Sequence, residues 1–170
     1  MRYLTLLVAI FFLLVLQAGV LAEFGLSNLG NLVLLFVVIS IMSGDLKEGL
    51  FVALLAGIML DFISGTVDGT LILVLITIFG FTRVFITKFI PKESSPIVLL
   101  SSIALNTVLF ALSFLIINKF FTLIKIDSAA DWKFVLGMKL VWDLLINLIF
   151  AYPIFWFYNL LSGKFKFTKT

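Results

Sequence analysis

The stretch Gly49-Leu-Phe-Val-Ala53-Leu-Leu-Ala56-Gly57-Ile-Met-Leu-Asp61-Phe-Ile-Ser-Gly65-Thr-Val-Asp68-Gly69 begins apolar enough for a membrane helix, reaches a carboxylate at Asp61, and runs out into glycines around a second, Asp68. Residues four apart share a helix face. Gly49, Ala53, Gly57 and Asp61 therefore form one line, three small residues followed by an acid. Small-xxx-small faces let membrane helices approach closely, which matters because lipid tails are as apolar as the side chains they replace. The line is expected either to pack inside a helical bundle or to dock another protein, with Gly65 and Gly69 in the turn beyond it. An ionised Asp at a helix centre costs roughly 2.5–3.5 kcal/mol on insertion scales. Asp61 thus needs a partner, water, or a place near the membrane surface.

The rest of the chain agrees with a membrane setting. Of 170 residues, 63% are hydrophobic and 12% charged, against about 25% charged in an ordinary soluble domain. A soluble globule of this size could not hide so much apolar surface, whereas a bilayer covers it. One compact domain, 1–170, is expected. There is no His and no Cys. Disulfides, thiol nucleophiles, zinc sites on nitrogen or sulfur, and Ser-His-Asp triads are thereby excluded. With lone carboxylates, and no nucleophile beside a base, no enzymatic activity, cofactor or metal is expected.

Spanning ~30 Å of hydrocarbon takes about 20 apolar helical residues. Six segments qualify in whole or part: 3–22, 32–42, 49–63, 69–90, 97–117 and 134–161. The expected fold is thus an all-α membrane bundle of about six helices. Val20-Leu21-Ala22 resembles a signal-peptide cleavage site, but the apolar run before it exceeds the usual h-region, so a retained first helix is expected. The second and third segments are short for full spans. Asp45-x-x-Glu48 suits a helix start, with Asp45 at the N-cap. The turn 91–96, Pro-Lys-Glu-Ser-Ser-Pro, separates segments four and five.

Positive residues set orientation. With the N-terminus inside and six spans, Arg2, Lys47, Arg83, Lys88, Lys92, Lys164, Lys166 and Lys169 fall inside, and Lys119, Lys125, Lys133 and Lys139 outside. Eight of 12 basic residues are then cytoplasmic, with both termini. Five spans would put the C-terminus outside. The inside clusters suit topology or anionic lipid equally.

Three further polar positions interrupt the last helix. Lys139, Asp143 and Asn147 are four apart; they form either a local ion pair or an inward stripe that meets Asp61. Asn106, alone in helix five, reads as an interhelical hydrogen bond.

The length, the helical layout and Gly57-Ile-Met-Leu-Asp61-Phe-Ile-Ser-Gly65-Thr-Val-Asp68-Gly69 together resemble the rod shape-determining MreD family, whose signature is a similar G-x-x-x-D … G … G stretch. Where that family often opens the preceding apolar run with Pro-Asp, this chain has Gly30-Asn31. The resemblance implies a non-catalytic scaffold in the bacterial inner membrane. It implies binding to the single-span protein MreC, and through it a link from the MreB filament to the RodA glycosyltransferase and its partner transpeptidase. The family also looks distantly like the vitamin-binding S components of transporters, which supplies an alternative of a different class. Trp132, Trp142 and the Asp61/Lys139/Asp143 set could line such a pocket.

Overall fold

A computed structural model describes residues 2–20, 23, 31–64, 67, 69–89, 96–124 and 138–162. Among these residues there are six helices and no strand. Helix α1 (Arg2–Val15) passes into a π-helical turn, Leu16–Val20. Then come α2 (Leu32–Ser43), α3 (Leu46–Ser64), α4 (Thr70–Phe89), α5 (Pro96–Leu123) and α6 (Met138–Ser162). The expected residues 91–95, Gly65, Asp68, Trp132, 134–137 and the basic 164–169 segment lie outside the described residues.

Two helix limits differ from expectation. Helix α3 starts at Leu46, three residues before Gly49, so Lys47 and Glu48 belong to its first turn. The Asp45 carbonyl accepts the first turn's bond from Gly49 N at 3.0 Å, as an N-cap residue's does. Helix α5 runs on through Asn118 and Lys119 to Leu123, 28 residues in all. That is about 42 Å, longer than a ~30 Å hydrocarbon core, so the helix can carry Lys119 past the hydrocarbon without breaking.

The architecture is a ring around a hub. Helices α1, α3, α4, α5 and α6 touch in that order and close back on α1, and α2 touches all five. Ten successive residues of α2, Leu32 to Ile41, are buried on every side. A helix that is hydrophobic all round belongs in such a place. The outer helices bury one face each: on α1, Leu6, Ala9, Ile10, Leu13 and Leu14 point inward, while Leu4, Val8, Phe11, Phe12 and Val15 are exposed.

Exposed apolar side chains cover α3, α4, α5 and α6 as well, among them Phe62 at 86% and Ile116 at 69%. Soluble monomers do not present such a surface; lipid covers it without cost. Among the described residues, four helices are long and apolar enough to cross a membrane: Arg2–Gly19, Thr70–Lys88, Pro96–Leu123 and Met138–Ser162. The chain is therefore a multi-pass helical membrane protein. Its six helices are not six equal spans, because α3 carries Lys47, Glu48 and Asp61, and the 12 residues of α2 reach only about 18 Å.

Hydrogen bonds between helices show that neighbours in sequence run antiparallel. Gln17, in the π-helical turn after α1, lies at the start of α2, and Arg2 lies beside Glu48 at the start of α3. Arg83, late in α4, donates to the Ile41 carbonyl at the end of α2. Asn147 of α6 bonds to Asn31, and Tyr158 to Glu48. The start of α1 and the end of α6 thus share one end of the bundle.

Candidate functional site

The small-residue line lies inside the bundle. Gly49, Ala53 and Gly57 are all buried. A Cβ on Gly49 would sit 3.2 Å from the Ile41 Cα of α2 and 3.4 Å from Phe79 of α4. At Gly57 it would come 2.7 Å from the Ile72 Cα, so the backbones of α3 and α4 nearly touch there. This face is filled by helices of the same chain and leaves no room for a second protein to dock on it.

Asp61 closes the same line. Its carboxylate accepts three backbone N–H bonds, from Gly69 (3.1 Å), Leu71 (2.9 Å) and Ile72 (3.2 Å). Those groups open α4, where the first N–H groups of a helix have no partner within it. The acid of one helix therefore caps the next, and the positive end of the α4 dipole meets a negative charge. Gly69 makes the turn with φ at +90°, a conformation that side-chain-bearing residues avoid. Asp61 is only 7% exposed; of the partner, water or membrane-surface place expected for it, it has the partner. It is satisfied by peptide groups inside the protein.

The expected meeting of Asp61 with the last helix's polar line is corrected at Asn147. That side chain is 1% exposed and belongs to a different centre. Its Oδ1 accepts from Asn31 N (2.9 Å), and its Nδ2 donates to Thr107 Oγ1 of α5 (2.9 Å). Asn31 in turn caps α2 by accepting from Leu34 N (2.9 Å), and Gln17 Oε1 accepts from Leu32 N (3.0 Å). Side chains of three ring helices and Asn31 together satisfy the start of the hub. Asp143 and Lys139 lie one and two turns earlier on α6 and are half-buried.

Asn106 bridges two helices. Its Oδ1 accepts from Thr82 Oγ1 of α4 at 2.6 Å, and its Nδ2 donates to the Ser102 carbonyl of its own helix.

A third polar centre escaped sequence reasoning. Glu48, 3% exposed, pairs with Arg2 of α1 and accepts from the Tyr158 hydroxyl of α6 at 2.8 Å. It joins α1, α3 and α6 beside the α2–α3 turn, where Gly44 leaves no space for a Cβ: the Ser40 carbonyl would be 2.5 Å away and Tyr158 Oη 3.1 Å. Glu48 had passed as half of a helix-start motif, because its partners lie 46 and 110 residues away. The available signal was Tyr158 itself, a hydroxyl in an apolar helix, since a buried phenol usually has a hydrogen-bond partner.

Chemically, these centres hold helices together. Among the described residues, no three His, Cys, Asp or Glu side chains gather where they could hold a metal ion. Set against protein-family models, curated proteins and solved structures, the chain matches none.

Proposed function

We propose that the chain is a non-catalytic scaffold of the bacterial cell-elongation machinery, seated in the cytoplasmic membrane and required for rod shape and organised peptidoglycan synthesis. On this reading it binds an MreC-like single-span protein and so connects the MreB filament to the RodA–transpeptidase pair. The family resemblance of the Gly57–Gly69 stretch motivates it. One structural observation supports it: the polar side chains Gln17, Asn31, Asp61 and Asn147 are bonded at the starts of α2 and α4, and the buried Asn106 bridges α4 and α5. An interior built this way serves rigidity, which leaves the outer surface to make the contacts on which function depends.

The orientation proposed is both helical ends inside. Arg2, Lys47, Arg83 and Lys88 gather toward the end of the bundle that holds the α2–α3 turn, with Lys119 and Lys139 at the other. The excess of positive charge belongs on the cytoplasmic side.

The test is purification of the tagged protein from its native membrane in mild detergent, with identification of what accompanies it. Cell-elongation proteins are the expected company. Recovery of the ATPases of a transporter in their place would overturn the scaffold reading in favour of a small-molecule-binding subunit.

A further inference from the structure

Helix α6 carries an irregularity on the wrong side for a helix that faces only lipid. Pro153 has no N–H, so the Ile149 carbonyl lacks its partner four residues on, in its own helix. Membrane helices tolerate this where neighbouring helices, hydroxyl side chains or water supply the missing bond. Here Pro153 is exposed, Ile149 is 69% exposed and Tyr152, with its phenol hydroxyl, is 73% exposed. The defect and the phenol both lie on the outer face, away from α1, α2 and α5.

The depth of this face follows from α2. Asn147 is bonded at the start of α2, and Tyr158 sits beside Gly44 and Glu48 at its end. Ile149 to Pro153 lies between these two marks. Tyr152 is six residues, or about 9 Å, above the Glu48 centre, within the hydrocarbon when that centre marks the membrane boundary. Lipid tails there can neither donate to a carbonyl nor accept from a phenol.

Large side chains flank the defect at alternating spacings of four and three: Trp142, Leu145, Ile149, Tyr152 and Trp156, each between 48% and 73% exposed. That is the seam along which a second helix packs by knobs into holes. We infer that this face seats one membrane-spanning helix of another protein, bearing a hydroxyl or carboxamide side chain level with Tyr152. Such a group can donate to the Ile149 carbonyl and accept from the phenol. The inference rests on the scaffold reading for the kind of partner, and it adds the surface and the chemistry.

The experiment places a photoreactive benzoylphenylalanine at Ile149, and separately at Ile76, which faces outward on α4 across the ring and is 37% exposed. Both full-length proteins are illuminated in native membranes, and adducts are mapped by peptide mass spectrometry. The expected result is an adduct from position 149, and not from 76, within a membrane-spanning segment of a different protein that has Ser, Thr, Asn or Gln within one turn. With the probe kept at 149, Tyr152→Phe and Pro153→Ala are each expected to lower the adduct yield roughly threefold, the scale of one interhelical hydrogen bond in a membrane. Adducts only to lipid, adducts to a second copy of this chain, equal yields from both positions, or yields indifferent to both substitutions would each overturn the inference. Its fate is separable from that of the scaffold reading. An adduct to a protein outside cell elongation keeps the surface and removes the proposed function. Elongation proteins that co-purify but react elsewhere do the reverse.

Discussion

Replacing Asp61 by Asn tests the capping of one helix by another. The carboxylate accepts from three peptide N–H groups, and the residue is 7% exposed. Asn offers one carbonyl oxygen, and its NH2 must face an N–H that it cannot satisfy. At least one charge-assisted bond is lost, worth about 1.5–3 kcal/mol. The attraction of the carboxylate to the α4 N-terminus goes with it, about 0.3–1 kcal/mol. Together these place Asp61→Asn about 2–4 kcal/mol below the unaltered protein. Asp61→Ala, which leaves all three N–H groups without an acceptor, should cost more, about 3–6 kcal/mol after allowance for relaxation. The measurement is unfolding in mixed micelles as the fraction of SDS rises, followed by tryptophan fluorescence. Phe62→Ala is the control, because that neighbouring side chain is 86% exposed toward lipid and should fall within about 0.5 kcal/mol of the unaltered protein. If Asp61→Asn also fell within that margin, the carboxylate would not be the cap of α4.

Three further outcomes follow from the packing and the charge layout. Gly57→Ala brings a methyl group 2.7 Å from the Ile72 Cα and should cost about 1–3 kcal/mol in the same unfolding assay, while Leu55→Ile changes little; equal behaviour would mean that the close approach of α3 and α4 is not tight. Glu48→Ala removes the acceptor of Tyr158 and the partner of Arg2 and should destabilise by about 2–4 kcal/mol, with Glu48→Gln recovering part by keeping an acceptor for Tyr158; a Gln variant no better than Ala would count against that bond. A single cysteine in place of Thr168 should resist a membrane-impermeant thiol reagent in intact cells, and labelling there would reverse the proposed orientation.

The helical membrane bundle was legible because apolar runs near 20 residues have few other uses. Which way each helix faces was not. In a soluble protein, polarity marks the outside; here Leu35 of the hub and Leu4 of α1 have the same chemistry, yet one is 1% and the other 66% exposed. Direction is marked only by the few buried polar or small residues. Asn106, Asn147, Asp61 and Gly57 were visible as such, although their partners were not. Asp61 could be seen to need a partner, but peptide N–H groups carry no letter in a sequence, so a cation on α6 looked equally fit. Glu48 was placed at a helix start, and Asn118 and Lys119 in a loop, because charge and amide groups usually end an apolar run. Glu48 is instead held inside by Arg2 and Tyr158, and α5 simply outlasts the hydrocarbon.

The hub has a consequence for biosynthesis. Helices enter the membrane in the order in which they are made, and α2 is made second. Both of its ends wait for α6: Asn147 supplies the acceptor for Asn31 N, and Tyr158 closes on Glu48 beside Gly44. A nascent chain halted after α5 therefore holds a short, unbridged helix with an open side and an unmet peptide N–H within the membrane. Resistance to membrane proteases should arrive abruptly with the final 25-residue helix, because no earlier stopping point presents a finished surface to the quality-control machinery.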